Sequence, residues 1–381
     1  MTIGIDARFF GPRGKGLGRY TQKLIEALQE LDCENDYVIF LRRENFDEYL
    51  PQNPRFKKVL ADYSWYGFAE QFFLPFKIYA QKVDLMHFPH FNVPIFYFKK
   101  YIVTIHDLIL RHFATRRASR LGTLLYWIKN LGYRVVIWLA LKRAKKIITV
   151  SEYVENDIIK SFKVKAQKIS VTYEGAPEKN LLFAGLKYKL KEFGIGKPYL
   201  LYVGNAYPHK NLERLVKAFE ILVADSKNDL QLVLVGEEDY FYQRLEEEGR
   251  TSILRRIEVF DQIIFTDFVT DEELELLYQN ATLYVFPSLC EGFGLPPLEA
   301  MSHGLPVVCS NATCLPEILG EAAIYFNPQD PNDMAEKINQ VLSNNNLRKD
   351  LIAKGFEQIK KYSWRKMGEK TLILYNQRAN K

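Results

Sequence analysis

The stretch Ala281-Thr-Leu-Tyr-Val-Phe-Pro-Ser-Leu-Cys-Glu-Gly-Phe-Gly-Leu-Pro-Pro-Leu-Glu-Ala-Met301 decides how the rest of the chain is read. Residues 281–288 form a short apolar run closed by proline and serine, which reads as a buried strand. After Pro297 the pattern becomes helical, because proline is favoured at a first helical position. Glu291 then falls on a strand-to-helix loop and Glu299 in the first turn of the helix. Gly292 and Gly294 let backbone amides approach a ligand closely. Amides for anionic oxygens, with carboxylates accepting from hydroxyls, suit a polyhydroxylated, phosphorylated ligand.

The same strand-then-helix alternation extends in both directions. In the second half, Pro198–Gly204, Leu230–Gly236, Gln262–Phe265, Leu283–Phe286 and Pro306–Cys309 read as strands, with helices such as Asn211–Ala224 and Glu272–Tyr278 between them. The first half shows it too, in Ile3–Ile5, Tyr37–Leu41, Val83–His87, Ile102–Ile105 and Lys146–Val150. Such alternation predicts parallel, doubly wound sheets. A Gly/Lys/Pro-rich stretch from Ala176 to Lys197 marks the boundary between two Rossmann-like domains. The expected division is 1–180, 181–361 and a closing helix over 362–381, with the two sheets facing a central cleft.

Composition agrees with a chain of this size. At 381 residues, 48% hydrophobic and 14% aromatic, it can bury two cores and is not disordered. Its four cysteines form no C-x-x-C pair and read as reduced thiols of a cytosolic protein. Met1-Thr-Ile-Gly-Ile-Asp6 reads as a first strand and not a signal peptide. The longest apolar run, Val135–Leu141, falls far short of the ~20 residues that cross a bilayer. The net charge of +6 is uneven. Residues 1–175 hold 28 Lys/Arg and 17 Asp/Glu, or +11, which leaves 24 against 29, or −5, for the remainder. No acid occurs between Asp107 and Glu152, where Arg116, Arg117, Arg120 and seven other cations are interleaved with Trp127, Tyr133 and Trp138. That basic span, 111–146, fits a core helix with a solvated basic side, or a helix lying on an anionic membrane. No nucleic-acid-binding motif accompanies it, so nucleic acid is not an expected partner.

Further candidate chemistry lies at strand ends. Gly11-Pro-Arg-Gly-Lys-Gly-Leu-Gly18 precedes the helix Tyr20–Leu31 and matches neither the dinucleotide nor the P-loop spacing. A glycine loop feeding a helix start reads either as an anion site, with Arg13, Lys15 and Arg19 adding charge, or as a mobile surface loop. His106-Asp107 ends the strand Ile102–Ile105. His87-Phe-Pro-His90 ends another, but lacks a third ligand, so no metal site is expected. Asn205 follows Val203-Gly204, and Lys210 near the next helix start is placed to meet a diphosphate. No Asp-x-Asp occurs, so cationic side chains and amides would neutralise a leaving phosphate.

Glu291-Gly-Phe-Gly-Leu-Pro-Pro-Leu-Glu299, with Gly304-Leu-Pro-Val-Val-Cys-Ser310 and Pro316-Glu-Ile-Leu-Gly320, resembles the family 4 retaining glycosyltransferases of the GT-B fold. Gly16-Leu-Gly-Arg-Tyr20, Val103-Thr-Ile-His-Asp-Leu108, Val150-Ser-Glu-Tyr153 and Tyr202-Val-Gly-Asn205 with Pro208-His-Lys-Asn-Leu212 extend the likeness over nearly the whole chain. The resemblance implies that Glu291 contacts the transferred sugar and Glu299 the ribose. It implies that the amides of Phe293, Gly294 and Leu295 face sugar and diphosphate, and that Lys210 meets the diphosphate. Gly16 and Gly18 match a loop closing over the donor, and His106 a histidine near the donor sugar. Where many members carry an arginine, this chain has Asn205, so His209 or Arg19 is expected to stand in.

The implied activity is a metal-independent transfer with retained configuration, needing no cofactor beyond the nucleotide-sugar co-substrate. Gly4-Ile-Asp-Ala-Arg8 and Pro208-His-Lys-Asn211 resemble mannosyltransferase-like members, which points to GDP-mannose as donor. The resemblance also implies a glycan or lipid-linked acceptor in polysaccharide biosynthesis, and so favours the membrane reading of the basic span. The expected place is cytoplasmic, peripheral on the inner face of the plasma membrane. UDP-glucose or UDP-N-acetylglucosamine would use the same residues. A sugar-nucleotide epimerase, or a non-catalytic nucleotide-sugar-binding subunit, are the alternatives of other kinds.

Overall fold

Among the described residues, thirteen short strands, all paired in parallel, build two sheets. A computed structural model describes residues 1–113, 123–176, 187–225, 229–248 and 257–379. Arg116, Arg117 and Arg120, and the boundary expected after residue 180, lie outside the described residues. The chain divides into one unit of Met1–Gly175 with Tyr362–Lys381, and a second of Ala176–Lys361.

The first unit runs β1 (Thr2–Asp6), α1 (Lys15–Leu31), β2 (Asp36–Leu41), β3 (Phe56–Leu60), α2 (Phe68–Ala80), β4 (Leu85–Phe88), β5 (Tyr101–Ile105), α3 (Ile109–His112), α4 (Thr123–Arg143), β6 (Lys146–Thr149), α5 (Glu152–Phe162) and β7 (Ile169–Val171). Its strand order is β3-β2-β1-β4-β5-β6-β7. Helices cover both faces of such a sheet, so the inner strands read as unbroken apolar runs and not as alternation. Tyr101–Ile105, for example, is buried at every position. Winding reverses between β1 and β4, which opens a crevice at their carboxyl ends.

The second unit runs α6 (Lys187–Glu192), β8 (Tyr199–Val203), α7 (Leu212–Asp225), β9 (Gln231–Val235), α8 (Tyr240–Glu248), α9 (Ile257–Phe260), β10 (Ile263–Phe265), α10 (Asp271–Asn280), β11 (Leu283–Phe286), α11 (Leu295–Ser302), β12 (Val307–Ser310), α12 (Leu315–Leu319), β13 (Ala323–Phe326), α13 (Pro331–Ser343) and α14 (Asn345–Ile359). The order β10-β9-β8-β11-β12-β13 reverses between β8 and β11. α10 opens with a capping box, in which Thr270 and Glu273 each accept from the other's backbone N–H.

The final helix, α15 (Trp364–Ala379), belongs to the first unit, where Met367, Leu374 and Tyr375 join the core of Ile3, Ile5, Leu24 and Ile39. It crosses α1 closely, because a side chain at Gly368 would meet the Ala27 Cβ at 2.6 Å. Cys33 is an exposed thiol, and Cys290, Cys309 and Cys314 are buried ones. Among the described residues no helix is long and apolar enough to cross a membrane.

Candidate functional site

The second unit gathers most of the predicted residues at the carboxyl ends of β8 and β11, where its winding reverses. Gly204 leaves β8 at φ +151°, and its carbonyl lies so close to β9 that a Cβ on Gly236 would stand 2.1 Å from it. Asn205 shapes the turn that follows, its Oδ1 accepting from the Tyr207 amide at 3.3 Å. Asn211 adopts φ +64°, and its amide donates to the carbonyls of Pro287 (3.0 Å) and Pro328 (2.7 Å). The Leu289 amide donates to the His209 carbonyl at 2.7 Å. These bonds fix the Pro208–Lys210 turn against the loop that carries Glu291.

Lys210 and Glu291 consequently meet. The Lys210 Nζ donates to Glu291 Oε1 at 2.6 Å, with the two side chains only 15% and 11% exposed. The Glu291 amide donates to Thr313 Oγ1 at 3.1 Å. An ammonium has three donors, so Lys210 can hold Glu291 and reach an anionic oxygen together. Gly294 caps α11 at φ +98°, a conformation that favours glycine, and a Cβ there would press on Leu315 at 2.9 Å. Pro296 and Pro297 have no N–H, so the donors left at this helix start are the amides of Gly294 and Leu295. The Phe293 ring turns inward and is buried.

α11 begins at Leu295, two residues before Pro297, which moves Glu299 from the first turn to the second. There it is half-buried and accepts from the Tyr278 hydroxyl at 3.2 Å. Tyr278 stacks on His303 with ring centroids 4.9 Å apart and planes 11° from parallel. His303 is held on both sides, Nδ1 by the Glu299 carbonyl at 2.7 Å and Nε2 by Glu275 at 2.6 Å. Tyr278, His303 and Glu275 were not among the sequence candidates. They are 21, 4 and 24 positions from Glu299, and nothing but an i,i+4 spacing could have signalled one of them.

At His209, burial, with the Lys210 charge adding to it, lowers the pKa to about 4 and so disfavours the charged form. Arg19 is exposed on α1 in the first unit. Gly16 and Gly18 lie inside α1, which starts at Lys15 and not at Tyr20. Gly18 is needed by its own unit, because a Cβ there would sit 2.1 Å from the Gly11 carbonyl oxygen. Gly16 has open space around it.

His106 stands at the carboxyl end of β5 with both ring nitrogens engaged. Nε2 donates to the Pro89 carbonyl at 2.9 Å, and Nδ1 meets Glu174 Oε1 at 3.0 Å. Burial alone would lower its pKa, but the Glu174 carboxylate, the Pro89 carbonyl and Asp107 together outweigh burial and raise it. The Tyr20 ring packs edge-on at 4.6 Å. Asp107 Oδ1 accepts from the Ile109 amide at 2.9 Å and so turns the chain into α3. At the β1 end, buried Arg8 donates to both oxygens of Asp6 (2.8 and 2.7 Å) and to Glu70 (2.5 Å). Glu70 in turn accepts from the Tyr66 amide, holding Tyr66 at φ +60°. Among the described residues no His/Cys/Asp/Glu group of metal-binding size occurs.

Known proteins share this sequence and fold. Residues 14–179 match the family described as Glycosyltransferase Family 4, and residues 189–358 match Glycosyl transferases group 1. O-antigen chain mannosyltransferase B of Escherichia coli is 32% identical over 302 residues, covering 76% of this chain and 74% of that protein. O-antigen chain mannosyltransferase RfbU of Salmonella typhimurium is 26% identical over 341 residues, 87% of this chain and 88% of that one. Among solved structures, sucrose-phosphate synthase from Thermosynechococcus elongatus superposes with a TM-score of 0.74 at 22% identity, over 99% of this chain and 98% of its own.

Proposed function

This chain belongs to the family 4 glycosyltransferases of the GT-B fold, and from that premise we propose that it moves mannose from GDP-mannose to a growing surface glycan with retention of configuration. The observation that carries this reading is the Lys210–Glu291 pair beside the Gly294-capped start of α11, at the point where the second sheet reverses. In this reading Lys210 and the helix-start amides take the charge of the leaving diphosphate without a metal ion. Glu291 accepts from hydroxyls of the transferred sugar. Glu299, aimed by Tyr278, accepts from the ribose. His106 acts as a fixed positive charge rather than as a free base, because both of its nitrogens are engaged.

The mannose and the glycan acceptor are taken from the two bacterial O-antigen mannosyltransferases that the chain resembles. We assign the acceptor a lipid anchor and the enzyme a cytoplasmic, membrane-peripheral place. Within the described part of the basic span, α4 presents Trp127, Leu131, Val135 and Trp138 to solvent, with the Lys142 ammonium 4.5 Å from the Trp138 ring.

A thermal-shift panel of GDP, UDP, ADP and their sugars tests the donor, since a ligand that binds only the folded state raises its melting temperature. Stabilisation by GDP and GDP-mannose is expected, unchanged by EDTA. A shift with UDP alone would replace the guanine nucleotide and leave the roles of Lys210, Glu291 and Glu299 standing. Conversion of donor alone to an epimer would replace transfer by epimerisation.

A further inference from the structure

We propose that α2 and the loop before β5 form the surface by which the first unit docks on an anionic phospholipid bilayer. A helix in a globular protein buries one apolar face and wets the other. α2 departs from this. Leu74, Pro75 and Ile78 are buried on one side, while on the other Phe68, Phe73 and Phe76 are 86%, 59% and 70% exposed. At about 100° per residue, Phe68, Phe72, Phe73 and Phe76 fall within an arc of roughly 140°. Phe72 packs on Phe96 of the loop with centroids 4.6 Å apart, which joins helix and loop into one aromatic surface.

Cations rim this surface. Lys99 stands 5.5 Å from the Tyr79 ring centroid, and the Arg143 guanidinium 5.1 Å from that of Phe98, itself 69% exposed. Lys100 is exposed beside them. From Asn92 to His106 the sequence holds no acid, and the single acid of α2, Glu70, is buried on Arg8. Exposed aromatics flanked by lysine and arginine are what an interfacial element presents to acidic headgroups. A second copy laid on the same face about a twofold axis would oppose like charges. The stripe also has a direction. Glu70 ties the start of α2 to Arg8, just past β1, and accepts from the amide of Tyr66, whose ring centroid lies 6.1 Å from that of His90. A lipid-borne acceptor would therefore present its sugar at that edge. Only this last step rests on the transferase reading.

The test is co-sedimentation of the full chain with vesicles of phosphatidylcholine alone and of phosphatidylcholine with phosphatidylglycerol. The expected result is binding to the anionic vesicles only. Phe68→Ser/Phe73→Ser/Phe76→Ser should weaken it by about tenfold or more, and Lys99→Glu/Lys100→Glu should abolish the preference for acidic lipid. Both variants should keep the parent's tryptophan-detected urea midpoint, which reports the folding of the first unit, where all four tryptophans lie. Equal binding by the triple variant overturns the proposal, as does a change from dimer to monomer without any vesicle effect. A parent chain that binds vesicles but answers to no nucleotide would strike the donor reading and leave the docking surface standing.

Discussion

The two units share a winding rule but use it differently. At its reversal point the second unit assembles a compact polar set, in which Lys210 meets Glu291 and Glu299 is aimed through Tyr278 and His303. The first unit fills the corresponding edge with a buried ion network on Arg8, a clamped His106 and stacked rings such as Phe9 on Trp65, with centroids 4.3 Å apart. On the function proposed above, the charges and amides of the second unit meet the nucleotide diphosphate, and the first unit receives the acceptor.

The comparison can be broken most forcefully at Arg8. Arg8→Ala leaves Asp6 and Glu70 buried without their cation, at a cost of about 3–5 kcal/mol. All four tryptophans lie in the first unit, so urea unfolding followed by tryptophan fluorescence reads that unit directly. An unchanged midpoint would mean the network is not structural. Lys210→Ala should do the reverse, lowering transfer about 10²- to 10³-fold while leaving the tryptophan-detected midpoint in place. Full transfer by that variant would put the diphosphate elsewhere.

Acid sharpens the contrast next. Burial lowers His87 and His90 to about 3, so both are neutral in the folded first unit. As pH falls below about 6.5 the unfolded chain takes up protons that these two refuse, and stability drops by up to about 1.4 kcal/mol per pH unit for each. His106 works in the opposite sense. Its raised pKa makes its contribution complete below about 6.5, and that contribution is lost as pH rises through the folded value. A tryptophan-detected midpoint that did not fall between pH 6.5 and 4.5 would contradict the burial of His87 and His90.

Smaller effects are expected at Glu299. Glu299→Ala should weaken GDP binding about tenfold by calorimetry, through loss of charge-assisted hydrogen bonds. His303→Ala should weaken it only a few-fold, and Tyr278→Phe about as much, if Glu299 is aimed through them. Equal losses from Glu299→Ala and His303→Ala would show His303 to be more than a support.

Why the second unit was the more legible follows from distance along the chain. Glu291 and Glu299 lie on one loop and helix, so their spacing alone carries meaning. The partners that fix the first unit are remote: Arg8 and Glu70 are 62 positions apart, His106 and Glu174 68. Inner strands such as Leu283–Phe286 announce themselves as apolar runs. β3, β7 and β13 do not, because all three are sheet edges, and Phe-Lys-Lys-Val-Leu wets two positions while Ile-Ser-Val spans only three. The sequence pattern puts Glu299 a turn early because Pro296 and Pro297 sit at the second and third helical positions, and the αL cap at Gly294 leaves no sequence signal stronger than glycine itself.

Tyr375 on α15 hydrogen-bonds His87 on β4 at 2.6 Å, across 288 positions of sequence. The second unit is therefore an insertion in the first. During synthesis the ribosome releases the whole of Ala176–Lys361 before it delivers the helix that completes the earlier core. The half that begins first is finished last, and a nascent or truncated chain without α15 carries a first unit whose His87 lacks its partner and whose Ile3, Leu24 and Ile39 lack their cover.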